Sequence, residues 1–165
     1  MKGHPIPPGD YTHILDRASV AKVYVDGLGV QLYRWGNGPA LFVLLHGGYG
    51  SWAHWIKVIP QLEHHATVIA PDMPGFGCSD TPVEPHTAES VAGPLAAALG
   101  GLVGQQKIIL AGFSFGGAIA GHVASLMASQ SEHLVLLGPG GTGAPRGEMS
   151  DLIRRTKEMS REEIR

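Results

Sequence analysis

A serine flanked by glycines is the residue of this chain best placed to do chemistry. Residues 112–117 read Gly-Phe-Ser-Phe-Gly-Gly, after a short apolar run and before a stretch of small residues typical of a helix. Gly-x-Ser-x-Gly between a strand and a helix is typical of a nucleophile elbow, a tight turn that presents the serine hydroxyl to substrate. The spacing therefore predicts Ser114 as a nucleophile. The alternative is a glycine-rich turn that holds a serine by chance.

A serine that attacks a carbonyl needs hydrogen-bond donors for the oxyanion that forms. The backbone N–H of Phe115 would open the following helix, at its positively polarised end. A second segment, His46-Gly47-Gly48-Tyr49-Gly50, follows the most apolar run of the chain. Glycine lets backbone N–H groups approach a ligand closely, so we predict Gly48 N–H as the second donor. We interpret His46 as a structural histidine that ties down this loop, with a role as catalytic base as the alternative.

A third segment, residues 72–80, is rich in proline, glycine and aspartate. These residue types at this density build rigid turns, and the alternative is Asp72 as a catalytic carboxylate. Four aromatic residues near the three segments fit either an apolar pocket or ordinary core packing: Trp52, Trp55, Phe113 and Phe115.

The rest of the pattern describes the scaffold that must bring these segments together. Apolar and alternating runs predict strands over 21–25, 30–35, 40–45, 66–70, 107–111 and 133–137, and helices over 52–62, 87–102 and 115–129. A hairpin followed by strand–helix alternation predicts the α/β class, a mostly parallel sheet with helices on both faces. The three segments follow strands, so they should meet at the carboxyl edge of the sheet, where such sheets bind ligands.

Composition excludes several classes of function. The chain has 165 residues, a net charge of −2 and 44% hydrophobic residues, which gives no reason to expect nucleic acid or an anionic membrane as partner. The single cysteine, Cys78, excludes an intrachain disulfide and a cysteine-based zinc cluster. The first residues lack the apolar region of a secretory signal, and the run 40–45 is too short to span a bilayer. We expect a cytoplasmic protein with no metal that acts on a small-molecule substrate.

Residues 138–143, Gly-Pro-Gly-Gly-Thr-Gly, match the G-x-G-x-x-G pattern of dinucleotide binding. That fingerprint opens directly into a helix, whereas Ala-Pro-Arg-Gly follows here over 144–147. A loop after a strand is the better interpretation, so no cofactor is predicted.

Taken in order, these segments resemble the α/β-hydrolase superfamily over most of the chain, from about Val23 to Gly141. The resemblance is carried by residues 46–52, 71–80, 110–117 and 134–141. It implies Ser114 as nucleophile, with the N–H groups of Phe115 and Gly48 as oxyanion hole. A serine at the elbow, rather than an aspartate, points away from the epoxide hydrolase and haloalkane dehalogenase branches. It points toward esterases, amidases, acyltransferase-like members and carbon–carbon bond hydrolases.

The resemblance also divides the chain into three parts. Residues 1–20 are expected to be a lead-in arm, residues 21–148 a partial α/β-hydrolase core, and residues 149–165 the start of a cap helix.

The sequence offers no evident base for Ser114. In this fold the acid and the histidine follow the serine, and the base must lie within about 3 Å of the serine oxygen. Only His122 and His133 follow Ser114. His122 would lie about 12 Å along the same helix, and His133 opens a strand at the opposite end of the sheet. We therefore expect the amino-terminal part of a longer hydrolase, inactive alone; the alternative is a non-catalytic binding or interaction protein on this scaffold.

Strand 133–137 would then form an exposed apolar sheet edge. Such an edge is a place for self-association, which we expect as one partner interaction of this chain.

Overall fold

The computed structural model describes residues 11–141, in which six strands form one sheet. The strands are β1 (Ser19–Val25), β2 (Leu28–Trp35), β3 (Ala40–Leu45), β4 (Ala66–Asp72), β5 (Ile108–Phe113) and β6 (Ser131–Leu137). Their order across the sheet is β1-β2-β4-β3-β5-β6. β2 is antiparallel to β1 and β4, whereas β4, β3, β5 and β6 are parallel to their neighbours in this series. The predicted mostly parallel sheet is confirmed.

Helices cover both faces of the sheet, as predicted. They are α1 (Thr12–Leu15), a 3-10 helix (Trp52–Trp55), α2 (Ile59–Leu62), α3 (Ala88–Val103) and α4 (Phe115–Leu126). Side chains alternate between the faces along each strand. Leu41 and Val43 of β3 share a core with α3 and α4, whereas Leu44 shares the opposite core with Trp52 and Trp55.

Several element boundaries differ from those predicted. The single helix expected over 52–62 is two short helices, and β1 begins at Ser19, inside the predicted lead-in arm. Ile14 of α1 is buried and its carbonyl accepts a 2.7 Å hydrogen bond from Trp35 Nε1, so this stretch belongs to the core. Thr87 is the N-cap of α3 and forms a capping box with Ser90. The predicted cap helix over 149–165 lies outside the described residues.

Among residues 11–141, β6 is an edge strand of the sheet with no strand on its outer side. It pairs with β5 on one side, and none of its residues is buried. Each side chain from Leu134 to Leu137 is 42–43% exposed. The exposed apolar edge predicted from the sequence is therefore present in the described chain.

Candidate active site

The loops after β4, β3 and β5 meet at one edge of the sheet, because these neighbouring strands are parallel. Two contacts show the convergence directly. Met73 N–H, after β4, donates to His46 Nε2, after β3, over 3.0 Å. A Cβ placed on Gly48 would lie 3.7 Å from the Cβ of Phe115. The meeting of the three segments predicted from the sequence is confirmed.

Ser114 occupies a strained turn between β5 and α4. Its φ of 54° and ψ of −116° lie outside the regions favoured by L-residues, at a cost of about 1–3 kcal/mol. Its N–H donates to Leu137 O over 2.9 Å, and its carbonyl accepts from Gly117 N–H over 2.9 Å and Gly140 N–H over 3.1 Å. These bonds hold the turn, while the half-buried side chain has no hydrogen-bond partner among residues 11–141.

The flanking glycines let the backbone of α4 pack against the ends of β3 and β5. A Cβ on Gly112 would lie 2.7 Å from Gly117 Cα, and one on Gly116 would lie 2.8 Å from the carbonyl carbon of Leu45. Real Cβ atoms do not approach other atoms this closely. The glycines at 112 and 116 are therefore required by close backbone packing, as the elbow motif predicts.

Two backbone donors at this edge have no protein acceptor among the described residues. Phe115 is the first residue of α4, so its N–H lacks an intrahelical partner. Gly48 N–H is likewise unpaired, whereas the neighbouring Gly47 N–H donates to His54 Nδ1 over 3.1 Å. The N–H groups of Gly48 and Phe115 thus have no hydrogen-bond acceptor among residues 11–141.

His46 is a structural histidine, as interpreted from the sequence. It is fully buried; Nε2 accepts from Met73 N–H, so Nδ1 carries the proton and donates to Gly47 O over 2.8 Å. Burial lowers the pKa of His46 to about 4, with a smaller lowering from the nearby His54 and an opposing effect of the Gly47 bond. With Nε2 occupied, His46 is unsuited to take a proton from Ser114.

His54 is the residue of this edge that sequence reasoning missed. Because Nδ1 accepts from Gly47 N–H, the proton of the neutral ring lies on Nε2. The ring packs edge-on against Phe113, with centroids 5.9 Å apart, and fills the space beside Gly50. Burial lowers the pKa of His54. The only sequence signal was a histidine seven residues after Gly47, which is too weak to assign without the fold.

Asp72 holds the loop after β4 in place through three hydrogen bonds. Its buried carboxylate accepts from Trp52 N–H over 2.9 Å, from Cys78 N–H over 2.8 Å and from Tyr33 O–H over 3.4 Å. Burial raises the pKa of Asp72, while these hydrogen bonds oppose the rise. The carboxylate is used to hold the turn, which agrees with the rigid-turn interpretation.

The four aromatic residues separate into two groups. Trp52 and Trp55 are buried in the core, whereas Phe115 borders a cavity and Phe113 is 44% exposed beside Gly47. The pocket interpretation therefore fits Phe115, and the core interpretation fits the two tryptophans.

No histidine among residues 11–141 makes a hydrogen bond to Ser114 Oγ. His122 faces Glu89 at 4.0 Å. His133 pairs in register with Ile109, four residues before Phe113 and so about 13 Å from the elbow along the strand. Among residues 11–141 there is also no group of three metal-ligating side chains that could hold an ion.

Comparison with known proteins agrees with this geometry. The family model described as the alpha/beta hydrolase fold matches residues 40–159. A 2-hydroxy-6-oxo-2,4-heptadienoate hydrolase of Pseudomonas putida is 38% identical over 120 residues, which cover 70% of this chain and 43% of that protein. A soluble epoxide hydrolase of Corynebacterium is 35% identical over 96 residues, or 58% of this chain and 33% of that protein.

A solved structure shows the same fold. The crystal structure of Cfl2 from Burkholderia cenocepacia superposes with a TM-score of 0.69 at 29% identity, over 81% of this chain and 45% of that one. The chain belongs to the α/β-hydrolase family. It spans less than half the length of these curated relatives. No helix of the described residues is long and apolar enough to cross a membrane.

Proposed function

We propose that this chain carries the nucleophile and oxyanion hole of a serine hydrolase that acts on an ester, an amide or a related carbonyl substrate. The observation that carries the proposal is the strained Ser114 turn at the start of α4, beside the unpaired N–H groups of Gly48 and Phe115. Strain held in place by surrounding hydrogen bonds is typical of functional sites.

In the proposed reaction, Ser114 Oγ bonds to the carbonyl carbon while a base takes the hydroxyl proton. The carbonyl oxygen becomes an oxyanion that accepts from the N–H groups of Gly48 and Phe115. Collapse expels the leaving group, which takes the proton from the base, and water then releases the acyl group from Ser114 by the same steps.

The matching relatives include a 2-hydroxy-6-oxo-2,4-heptadienoate hydrolase and a soluble epoxide hydrolase. The named substrate of the Pseudomonas putida relative contains an oxo group, which suits a serine with an oxyanion hole. The serine at position 114 favours carbonyl chemistry over epoxide opening for this chain.

The base and acid are proposed to lie outside this chain, which we expect to be inactive alone. The described histidines support this, because none hydrogen-bonds to Ser114 Oγ. The neutral rings of His46 and His54 each already accept a backbone N–H, and His122 and His133 lie away from the elbow. Loss of a base leaves only the part of catalysis due to the oxyanion hole and binding.

The test is hydrolysis of a p-nitrophenyl ester by this chain and by the longest product of its reading frame. Turnover by the longer product should fall at least about 1,000-fold in Ser114→Ala. It should be unchanged in Ser125→Ala, an exposed serine of the same helix. Turnover that survives in Ser114→Ala would refute the proposal.

A non-catalytic binding protein on the same scaffold is the second candidate. The observation that favours it is that no side chain among residues 11–141 hydrogen-bonds to Ser114 Oγ. Binding of carbonyl ligands to the longer product, with no turnover and no covalent adduct, would support this candidate over the hydrolase.

Self-association through β6 is proposed as a property of this 165-residue chain. Its four consecutive apolar side chains and one unpaired backbone edge are exposed. Light scattering should show oligomers whose size grows with protein concentration. Val135→Lys, on the exposed edge, should prevent their formation. A chain that stays monomeric at high concentration would contradict this.

A further inference from the structure

A cavity of about 300 Å³ opens beside the proposed oxyanion hole. It lies between the loop after β4 and the first turns of α3 and α4. The lining residues that carry the argument are Phe76, Pro82, Ala88, Val91 and Phe115. Pockets that bind small molecules begin at about this volume.

The walls of the cavity suit hydrocarbon and disfavour charge. Among residues 11–141, no acidic, lysine or arginine side chain lines it. Two of its polar side chains already have partners: His86 Nε2 lies 3.0 Å from Pro82 O, and Thr87 Oγ1 accepts from Ser90 N–H over 3.2 Å. A charged ligand group would lose its hydration here without a compensating ion pair.

One residue joins the cavity to the reacting edge. Phe115 supplies the backbone N–H proposed for the oxyanion, while its ring packs on Phe76 with centroids 5.8 Å apart and forms part of the cavity wall. Phe76 in turn packs edge-on against His46, with centroids 5.4 Å apart, and His46 holds the loop of Gly48. Phe115 therefore borders the cavity with its ring while its backbone lies at the elbow, directly after Ser114.

We propose that this cavity binds the uncharged hydrocarbon arm of the substrate whose carbonyl is attacked by Ser114. This inference rests on the proposed function and adds the substrate class. A methylene group takes roughly the volume that a water molecule has in the liquid, about 30 Å³. The cavity of about 300 Å³ therefore has room for an unbranched arm of up to about ten carbons.

Binding can be tested without chemistry. The longest product of the reading frame, carrying Ser114→Ala, is titrated with 1-butanol, 1-hexanol and 1-octanol while the methyl NMR signals of Ala88 and Val91 are followed. Each added methylene should tighten binding about fourfold, from about 0.8 kcal/mol of burial, until the cavity is full. No shift of these signals, or affinity independent of chain length, would overturn the proposal.

Substitutions that fill the cavity test whether the alkanols bind there, with a matched control on the opposite side of α3. Ala88→Trp places a large ring in the space and should weaken 1-hexanol binding at least tenfold. Ala97→Trp makes the same change on the exposed side of α3 and should leave binding unchanged. Thr81→Trp fills the cavity from an exposed loop position, so it serves if Ala88→Trp fails to fold. Unaltered binding in both filled variants would contradict this site.

A second readout separates this inference from the proposed function. Alkyl fluorophosphonates of increasing chain length should label Ser114 of the longer product faster as the chain grows, and Ala88→Trp should remove that dependence. Alkanol binding without any labelling of Ser114 would overturn the proposed function and keep the cavity. Labelling of Ser114 at a rate independent of chain length, together with no alkanol binding, would overturn the proposed role of the cavity. It would leave Ser114 as the proposed nucleophile.

Discussion

The two loops that form the candidate site are held by different means. The elbow around Ser114 is fixed by backbone packing, because glycines at 112 and 116 leave no room for a side chain. The loop of Gly48 is fixed by side chains, since His46 and His54 hydrogen-bond to its backbone or to the neighbouring loop. The elbow should therefore be destabilised when side-chain atoms are added at its glycines. The loop of Gly48 should be destabilised when His46 or His54 is removed or protonated.

The largest loss of stability is expected when a methyl group is added to the elbow, and the same change in the loop of Gly48 is the control. Gly116→Ala places a Cβ against the carbonyl groups of Leu45 and His46 and should lower the free energy of unfolding by about 3 kcal/mol or more. Gly48→Ala places a Cβ at an ordinary 3.7 Å from Phe115 Cβ and should cost less than about 1 kcal/mol. Urea unfolding of both variants measures this, and equal losses of free energy would contradict the proposed difference between the two loops.

The next effect is a dependence of stability on pH that arises from the loop of Gly48. The folded pKa of His46, about 4, lies below the ordinary value of 6.5, so the unfolded state binds the proton first. Stability from the neutral ring is fully present above pH 6.5 and is lost as pH falls toward 4, by about 3 kcal/mol in all.

His46→Gln removes this titration and is the matched variant. The difference in free energy of unfolding between the chain and His46→Gln should shrink steadily from pH 7 to pH 4. A difference that stays constant over that range would show that His46 does not titrate as described.

A smaller effect is expected from His54. His54→Ala leaves Gly47 N–H without its acceptor, but the ring is partly exposed and water can replace it, so the cost should be about 1 kcal/mol. His64→Ala, in an exposed turn, is the control and should change stability little. Thermal unfolding of both variants measures this, and a loss as large as that of Gly116→Ala would place His54 in the core of the fold instead.

The sequence predicted what depends on local rules. Glycine spacing identified the Ser114 turn, and strand order placed the loop of Gly48 beside it, because parallel strands end at a common edge. The role of His54 could not be found in this way, since it depends on a contact with Gly47 that only the folded loop creates. The same holds for α1, because the burial of Ile14 depends on a hydrogen bond from Trp35 of β2 that only the folded chain forms.

The central claim is that Ser114 is the nucleophile, and labelling with a fluorophosphonate followed by peptide mapping tests it most directly. The account predicts one adduct on the longest product of the reading frame, at Ser114, absent in Ser114→Ala and unchanged in Ser125→Ala. It also predicts no adduct on the 165-residue chain by itself. An adduct at another residue, or one that persists in Ser114→Ala, would contradict the claim.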